Sequence, residues 1–590
     1  MRGNTSSHES AQGRFSRRAF LSAAGAGLGA LALPGSAQTQ ETPRRQPNVL
    51  LIMTDDQGYG DLSCLGSPHI VTPNLDALHA ESTRLSNFHV SPTCAPTRAA
   101  LLTGRYNNRV GVWHTIMGRS ILRRGETTIA DYFSGAGYKT GIFGKWHLGD
   151  NYPYRPQERG FQECLVHGGG GVGQAPDFWG NDYFDDTYFH NGVPKPFKGY
   201  CTDVWFENAS RFIEAHRDEP FFCYLPTNAP HWPYRVDPAY SQPFKDKGLS
   251  DDQANFHGMV QNIDDNVGRL LKRLEALQLA DNTIVIFMTD NGTAAGDRAN
   301  MRDQKGSEYE GGHRVPCFIR WPGGKLAKGR DVTMVTAHFD LLPTLIDLCG
   351  VETGPERAFD GINLRPWLED PQAPEPDRTI IVDSQRIEHP EKWRKSAVLK
   401  KNWRLVNGKE LYDVQTDPAQ QVDRAAEFPD HVARLRNDYE AWWSDVSSSF
   451  DQYCPIVLGA PGQGRAVLSS HDWHGEKPAW NQPQILKGDP GNGFWAVEVA
   501  EAGAYQFDLR RWPPEASAPI RGALEGGAAL AINQAKIFIG DQALSAPVDE
   551  ADHAVRFKMM LEKGETRLRT EFTCDDGKER GAYYVVVERA

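Results

Sequence analysis

Four apolar runs dominate the first half of the chain, and each ends in residues capable of chemistry. PNVLLIMTDDQGYGD is apolar over 49–53 and ends in Asp55 and Asp56. YKTGIFGKWHLG ends in Lys145 and His147, EPFFCYLPTNAPHWP leads from 221–225 to His231, and NTIVIFMTDNG leads from 284–288 to Asp290 and Asn291. Unbroken apolar runs of this length suit strands covered on both faces, as in a parallel sheet. Between the last two, Val260, Ile263, Val267, Leu270, Leu271, Leu274 and Leu277 recur at helical spacing and predict an amphipathic helix. Strand and helix in alternation predict the α/β class, with a mostly parallel central sheet whose ligands bind beyond the carboxyl ends of its strands. The four runs therefore bring their polar tips to one rim.

A chain of 590 residues is too long for a single core. The α/β pattern spans 46–377. Over 378–447, TIIVDSQ, SAVLKKNWRLV and KELYDVQTDP read as short strands, and a helix follows near 429–444, predicting a small sheet-plus-helix subdomain. From about 456 the pattern is all-β. Tyr505, Phe507 and Leu509 alternate with polar residues, as do Leu568 and Phe572, so a β-sandwich is expected over 460–590 with GAPGQGR (459–465) as its linker.

Residues 1–37 carry Arg17 and Arg18, a short Ala/Gly/Leu run and small residues up to Ala37, the pattern of a twin-arginine-type signal peptide. A bacterial protein exported to the periplasm or beyond is expected, with no stable membrane anchor: no later segment approaches the roughly 20 apolar residues that span a bilayer. The formal charge of −12, with no strongly basic run after the N-terminus, argues against nucleic acid as a partner.

SPTCAPTRAALLTGR, residues 91–105, sets Cys94 two residues before Pro96 and four before Arg98, at the start of a helix-like run. Three readings are open. The cysteine fills space, or it is a thiolate activated by a helix N-terminus and an arginine, or it is the precursor of something else. The nine cysteines form no CxxC pair, and an odd count leaves at least one thiol unpaired. At the rim, Asp55, Asp56, Asp290 and Asn291 offer an all-oxygen set that suits a hard cation, Ca²⁺ before Mg²⁺, and disfavours zinc. Arg98, Lys145, Lys305, His147 and His231 are the candidate cations and proton carriers. A cation with several positive side chains around a nucleophile is what transfer of a sulfuryl or phosphoryl group requires. HGGGGVG (167–173) lacks the lysine of a phosphate-binding loop and is expected to be a flexible loop.

CAPTRAALLTGR resembles the signature of the type I, formylglycine-dependent sulfatases of the alkaline phosphatase superfamily. MTDDQGYGDL, PNLDALHAES, GKWHLG, NAPHWP, MTDNG, YEGGHRVP, FDLLPTLIDL and KELYDVQTDP extend the resemblance, in order, over about 46–445. It implies the alkaline-phosphatase-like α/β sandwich and a sulfuric ester hydrolase. It selects the third reading of Cys94: a maturation enzyme converts it to formylglycine, one hydroxyl of whose hydrate attacks sulfur while the other later expels sulfate. By the same resemblance Asp55, Asp56, Asp290, Asn291 and modified Cys94 are the Ca²⁺ ligands. Arg98 holds the hydroxylate, His147 is the base of the second step, Lys145 and Lys305 bind sulfate oxygens, and His231 protonates the leaving oxygen. Asp303 receives no part. The substrate leans toward a sulfated oligosaccharide, with Trp113, His114, Trp179, Trp232 and Tyr234 as candidate walls. A phosphonate or phosphate ester hydrolase of the superfamily and an inactive glycan-binding relative are the alternatives, and the neutral Asn291 speaks for sulfate.

Overall fold

The computed structural model describes residues 46–354 and 358–590; the signal peptide expected at 1–37 lies outside them. The four apolar runs are strands β1 (Asn48–Thr54), β2 (Lys139–Lys145), β3 (Phe221–Pro226) and β4 (Thr283–Thr289). They stand side by side in a ten-stranded sheet in the order β4-β1-β3-β2, all parallel, with Glu163–His167 as a fifth parallel strand beyond β2. Short strands on both flanks add antiparallel pairings, Cys317–Arg320 against β4 and Thr187–His190 against Glu163–His167. Alternate residues of β1 enter different cores: Val49, Leu51 and Met53 face one, Leu50 and Ile52 the other. Helices cover both faces, which is why the runs are apolar throughout. The amphipathic helix is α2 (Asp251–Ala276), opened by a capping box in which Ser250 and Gln253 exchange hydrogen bonds. Cys94 opens the shorter α1 (Cys94–Thr103).

The second unit is a four-stranded antiparallel sheet from Ile380 to Asp413, backed by helix α3 (Pro429–Val446). The third is a sandwich of a five-stranded and a four-stranded sheet. It starts earlier than expected, because Ile456–Leu458 pairs with Phe494–Val499. Residues 459–465 are thus not a linker between domains but a loop between the two sheets, since Ala466–Ser469 belongs to the other. A three-residue strand is too short to show its period. The sandwich is also not a detached appendage: Ile121, Tyr154 and Ala175 of the α/β unit pack in its core. The Tyr584 hydroxyl donates to the Ala175 carbonyl at 2.9 Å, and Tyr154 to that of Pro455 at 2.6 Å. All nine cysteines are unpaired.

A buried ion pair stitches the small sheet to the α/β unit. Arg404 donates Nε to Glu310 at 2.7 Å and a terminal nitrogen to Asn87 at 2.8 Å, and both charged side chains are fully enclosed. Burial opposes the charge on Glu310, but Arg404 and the neighbouring cations outweigh it and hold the carboxyl well below its usual range. Arg404→Met strands that carboxylate, and we expect unfolding stability to fall by about 3–5 kcal/mol. Urea denaturation followed by fluorescence measures this; an unchanged midpoint contradicts the role given to the pair.

Candidate active site

The strand tips meet as the sequence requires. Asp55 and Asp56 follow β1, Asp290 and Asn291 follow β4, and all four are buried. Cys94, at the first position of α1, belongs to two potential ligand groups, Asp55–Cys94–Asp290 and Asp56–Cys94–His231, whose donor atoms in each case lie within 4.8 Å of one another. Lys145 donates to Asp55 at 2.6 Å and Arg98 to Asp290 at 2.8 Å, with all four side chains enclosed. A second Arg98 nitrogen donates to the Lys145 carbonyl at 2.9 Å, so the arginine locks α1 to the end of β2. Lys305 donates to Asp56 at 2.7 Å, and Asn291 donates its amide to the same carboxylate at 2.7 Å. The Lys305 loop is tied down by Lys305 N–H to Thr293 O at 3.0 Å and by Gly306 N–H to Pro92 O at 2.8 Å. Asp303 serves that loop: it adopts a positive φ and accepts from the Ser307 hydroxyl at 2.7 Å.

The two histidines have defined tautomers. His147 Nε2 lies 2.8 Å from the Thr115 carbonyl, which only accepts, so Nε2 carries the proton and Nδ1 the lone pair. That Nδ1 is buried without a partner. Burial, then the nearby Lys145 charge, holds His147 well below its ordinary pKa, so the ring is neutral. His231 Nδ1 donates to the Trp232 carbonyl at 2.5 Å, which leaves Nε2 facing Asp56 at 3.7 Å. Burial lowers His231 to about 4, against the pull of Asp56.

The chain is similar to known proteins in sequence and in fold. The family model described as Sulfatase matches residues 47–351. Human N-acetylgalactosamine-6-sulfatase is 34% identical over 355 residues, covering 55% of this chain and 66% of that enzyme, so the match spans just under two thirds of the relative. Human arylsulfatase A is 33% identical over 354 residues, covering 55% of this chain and 68% of that one. A solved structure, Ps i-CgsB in complex with k-i-k-neocarrahexaose, superposes with a TM-score of 0.63 at 28% identity, covering 70% of this chain and 95% of that one. The chain belongs to the sulfatase family.

Two features of this sulfatase-family site were not expected. The glycine-rich 167–173 stretch is not a loose loop but a wall. Gly170 N–H donates to Gln174 at 2.8 Å, and Asp177 accepts from Gly168 and Gly173. A Cβ on Gly170 would stand 2.2 Å from the His147 ring, so only glycine lets the loop press against that histidine. The sandwich also reaches the site. The Met117 N–H donates to the His471 carbonyl at 2.8 Å, fixing the turn that presents Thr115 to His147, and the rings of His147 and His471 lie 6.2 Å apart. No local pattern in SHDWH announces that contact. Among the expected aromatic walls, Trp113 and His114 are buried, and Trp113 packs edge-on against Phe450. Trp179 packs against Trp512 of the sandwich. Trp232 is 52% exposed beside His231, and Tyr234 is half-buried near it.

The carboxylates call for a cation. Asp55 Oδ1 and Asn291 Oδ1 are buried without partners, and burial next to Asp55 pushes Asp290 up to about 7. Unpartnered buried oxygens beside crowded carboxyls suit a hard cation, so these residues fit Ca²⁺. In the metal-free protein Asp290 keeps a proton up to about pH 7 that the unfolded chain releases near 3.8, so this group makes stability fall as pH rises between those values. Calcium held by these carboxylates would compete with that proton. We expect it to raise Tm more near pH 7.5 than near pH 5; an equal rise at both, measured by thermal shift, contradicts the assignment.

Proposed function

We propose that the protein hydrolyses sulfate esters of sulfated oligosaccharides, using a formylglycine made from Cys94 and one calcium ion held by Asp55, Asp56, Asp290, Asn291 and the modified residue 94. The observation that carries this is the position of Cys94, shared by two carboxylate groups and ringed by Arg98, Lys145 and Lys305. Burial raises the pKa of the Cys94 thiol despite the two lysines, so a thiolate nucleophile is disfavoured and a precursor role is supported. Formylglycine hydrate supplies a nucleophile with an internal exit, and calcium supplies positive charge for the sulfate oxygens.

The chain's own groups do the rest. Arg98 is fixed at two points, and its buried Nε lacks a partner, which leaves a donor for the oxygen on residue 94. Lys145 and Lys305 are the cations that swing from carboxylate to sulfate and spread the transition-state charge. His147 takes a proton at Nδ1, the atom with the free lone pair. His231 gives one at Nε2; a sulfate anion bound beside it raises its pKa from about 4 and charges the ring. Asn291 completes an all-oxygen ligand set, which favours the sulfatase reading, whereas a histidine at that position would suit a transition-metal phosphoesterase. Sugar is favoured by the exposed Trp232, a stacking platform next to the proposed proton donor, by a relative named N-acetylgalactosamine-6-sulfatase and by a neighbour solved in complex with k-i-k-neocarrahexaose. The twin-arginine-type leader favours export to the periplasm or beyond, with maturation by a formylglycine-generating enzyme.

Sulfate release from a panel of defined sulfated oligosaccharides tests the proposal. Cys94→Ala should abolish turnover, and His231→Ala should lower kcat by about 10²–10⁴-fold on substrates with poor leaving groups. The peptide containing residue 94 should carry an aldehyde. An unmodified thiol in active protein, or faster turnover of the matching phosphate diesters, contradicts it.

A further inference from the structure

The small subdomain sends one loop, residues 384–388, up to the Lys305 loop, and its backbone is held at several points. Arg386 N–H donates to the Trp113 carbonyl at 3.2 Å, and the Trp113 indole donates to the Ile387 carbonyl at 3.2 Å. Arg394 donates to the Gln385 carbonyl at 2.9 Å. Glu388 is gripped by Arg119 at 3.1 Å and by His474 of the sandwich at 2.9 Å. From this rigid support the Arg386 side chain projects exposed, with no hydrogen bond or ion pair to an acid among the described residues. The acids nearest in sequence are engaged elsewhere: Glu388 as above, and Asp383 by Asn108 and Gln385.

The guanidinium also stands in a telling place. One of its nitrogens is 3.9 Å from where a Cβ would sit on Gly306, the residue after Lys305. Gly306 is in turn bonded to Pro92, two residues before Cys94. In a chain with 76 acidic and 64 basic residues, a cation on a held loop, left without an acid beside the proposed sulfate site, is set up for a ligand. Its planar fork matches an oxyanion in two-point contact.

Building on the sulfated-sugar reading, the geometry points to Arg386 as a specificity residue that binds a second oxyanion of the substrate, a carboxylate or another sulfate near the ester being cleaved. Arg386→Gln and Arg386→Lys are compared on an aryl sulfate, a monosulfated neutral disaccharide, a disulfated disaccharide and a monosulfated disaccharide containing a uronate. Arg386→Gln should lower kcat/KM by about 10- to 100-fold on the doubly anionic sugars and change the other two by less than about threefold. Arg386→Lys should recover part of the loss, and the doubly anionic sugar with the larger loss identifies the oxyanion. Equal losses on all four substrates, or none on the doubly anionic pair, overturn the proposal. Calorimetric binding of the same sugars to Cys94→Ala, with and without Arg386→Gln, reads the contact without turnover. Weaker affinity and a shallower salt dependence confined to the doubly anionic sugars support it, and unchanged affinity overturns it. Wild-type protein that releases no sulfate would count against the sulfatase reading, while the binding comparison still decides Arg386.

Discussion

Buried charge is the constraint on which the site depends. Three carboxylates, Asp55, Asp56 and Asp290, sit side by side at the ends of two adjacent strands, where water cannot screen them. Each is met by one cation from another part of the chain: Lys145 from β2, Lys305 from a loop, and Arg98 from α1. Removing one member would leave its partner uncompensated in a low-dielectric setting, a cost of several kcal/mol. The pairs therefore do two things at once. They hold the strand tips, the first turn of α1 and the Lys305 loop in register, and they keep cations next to the place where an anion must react.

Enzymatic use of such a site needs the cations to be shared between carboxylate and substrate. In the proposed mechanism a metal ion on the carboxylates would take over the neutralising role and free the lysines. The unpartnered oxygens of Asp55 and Asn291 support that reading. Around the core of charges, neutral parts set orientation. Thr115 fixes the His147 tautomer, Trp232 fixes that of His231, and Gly170 closes the space behind His147.

Much of this was legible in the sequence for a local reason. A strand covered on both faces is apolar over its whole length, so the polar residues that follow it stand out, and parallel strands deliver them to one edge. Asp55, Lys145, His231 and Asp290 stand out that way, Cys94, Arg98 and Lys305 through the family resemblance, and the fold brings them together. Other parts were silent because their meaning is tertiary. Gly170 matters only through a ring 23 positions earlier in the chain, and His471 through a turn near Met117. Trp113 looked like a sugar platform but is roofed by the small subdomain, packing against Phe450. The sandwich boundary was displaced because Ile456–Leu458 is too brief a strand to declare itself.

The sandwich and the small subdomain are thereby parts of the active centre's construction. The sandwich holds the Thr115 turn through His471 and grips Glu388 through His474, while the subdomain places Arg386 beside Gly306, next to Lys305. The most direct test of the central claim is a crystal structure of the matured protein grown with calcium. One ion should lie within about 2.3–2.6 Å of oxygens from Asp55, Asp56, Asp290 and Asn291, with no sulfur at residue 94. A calcium ion bound elsewhere, with sulfur intact at 94 in a sample that turns over sulfate esters, would contradict it.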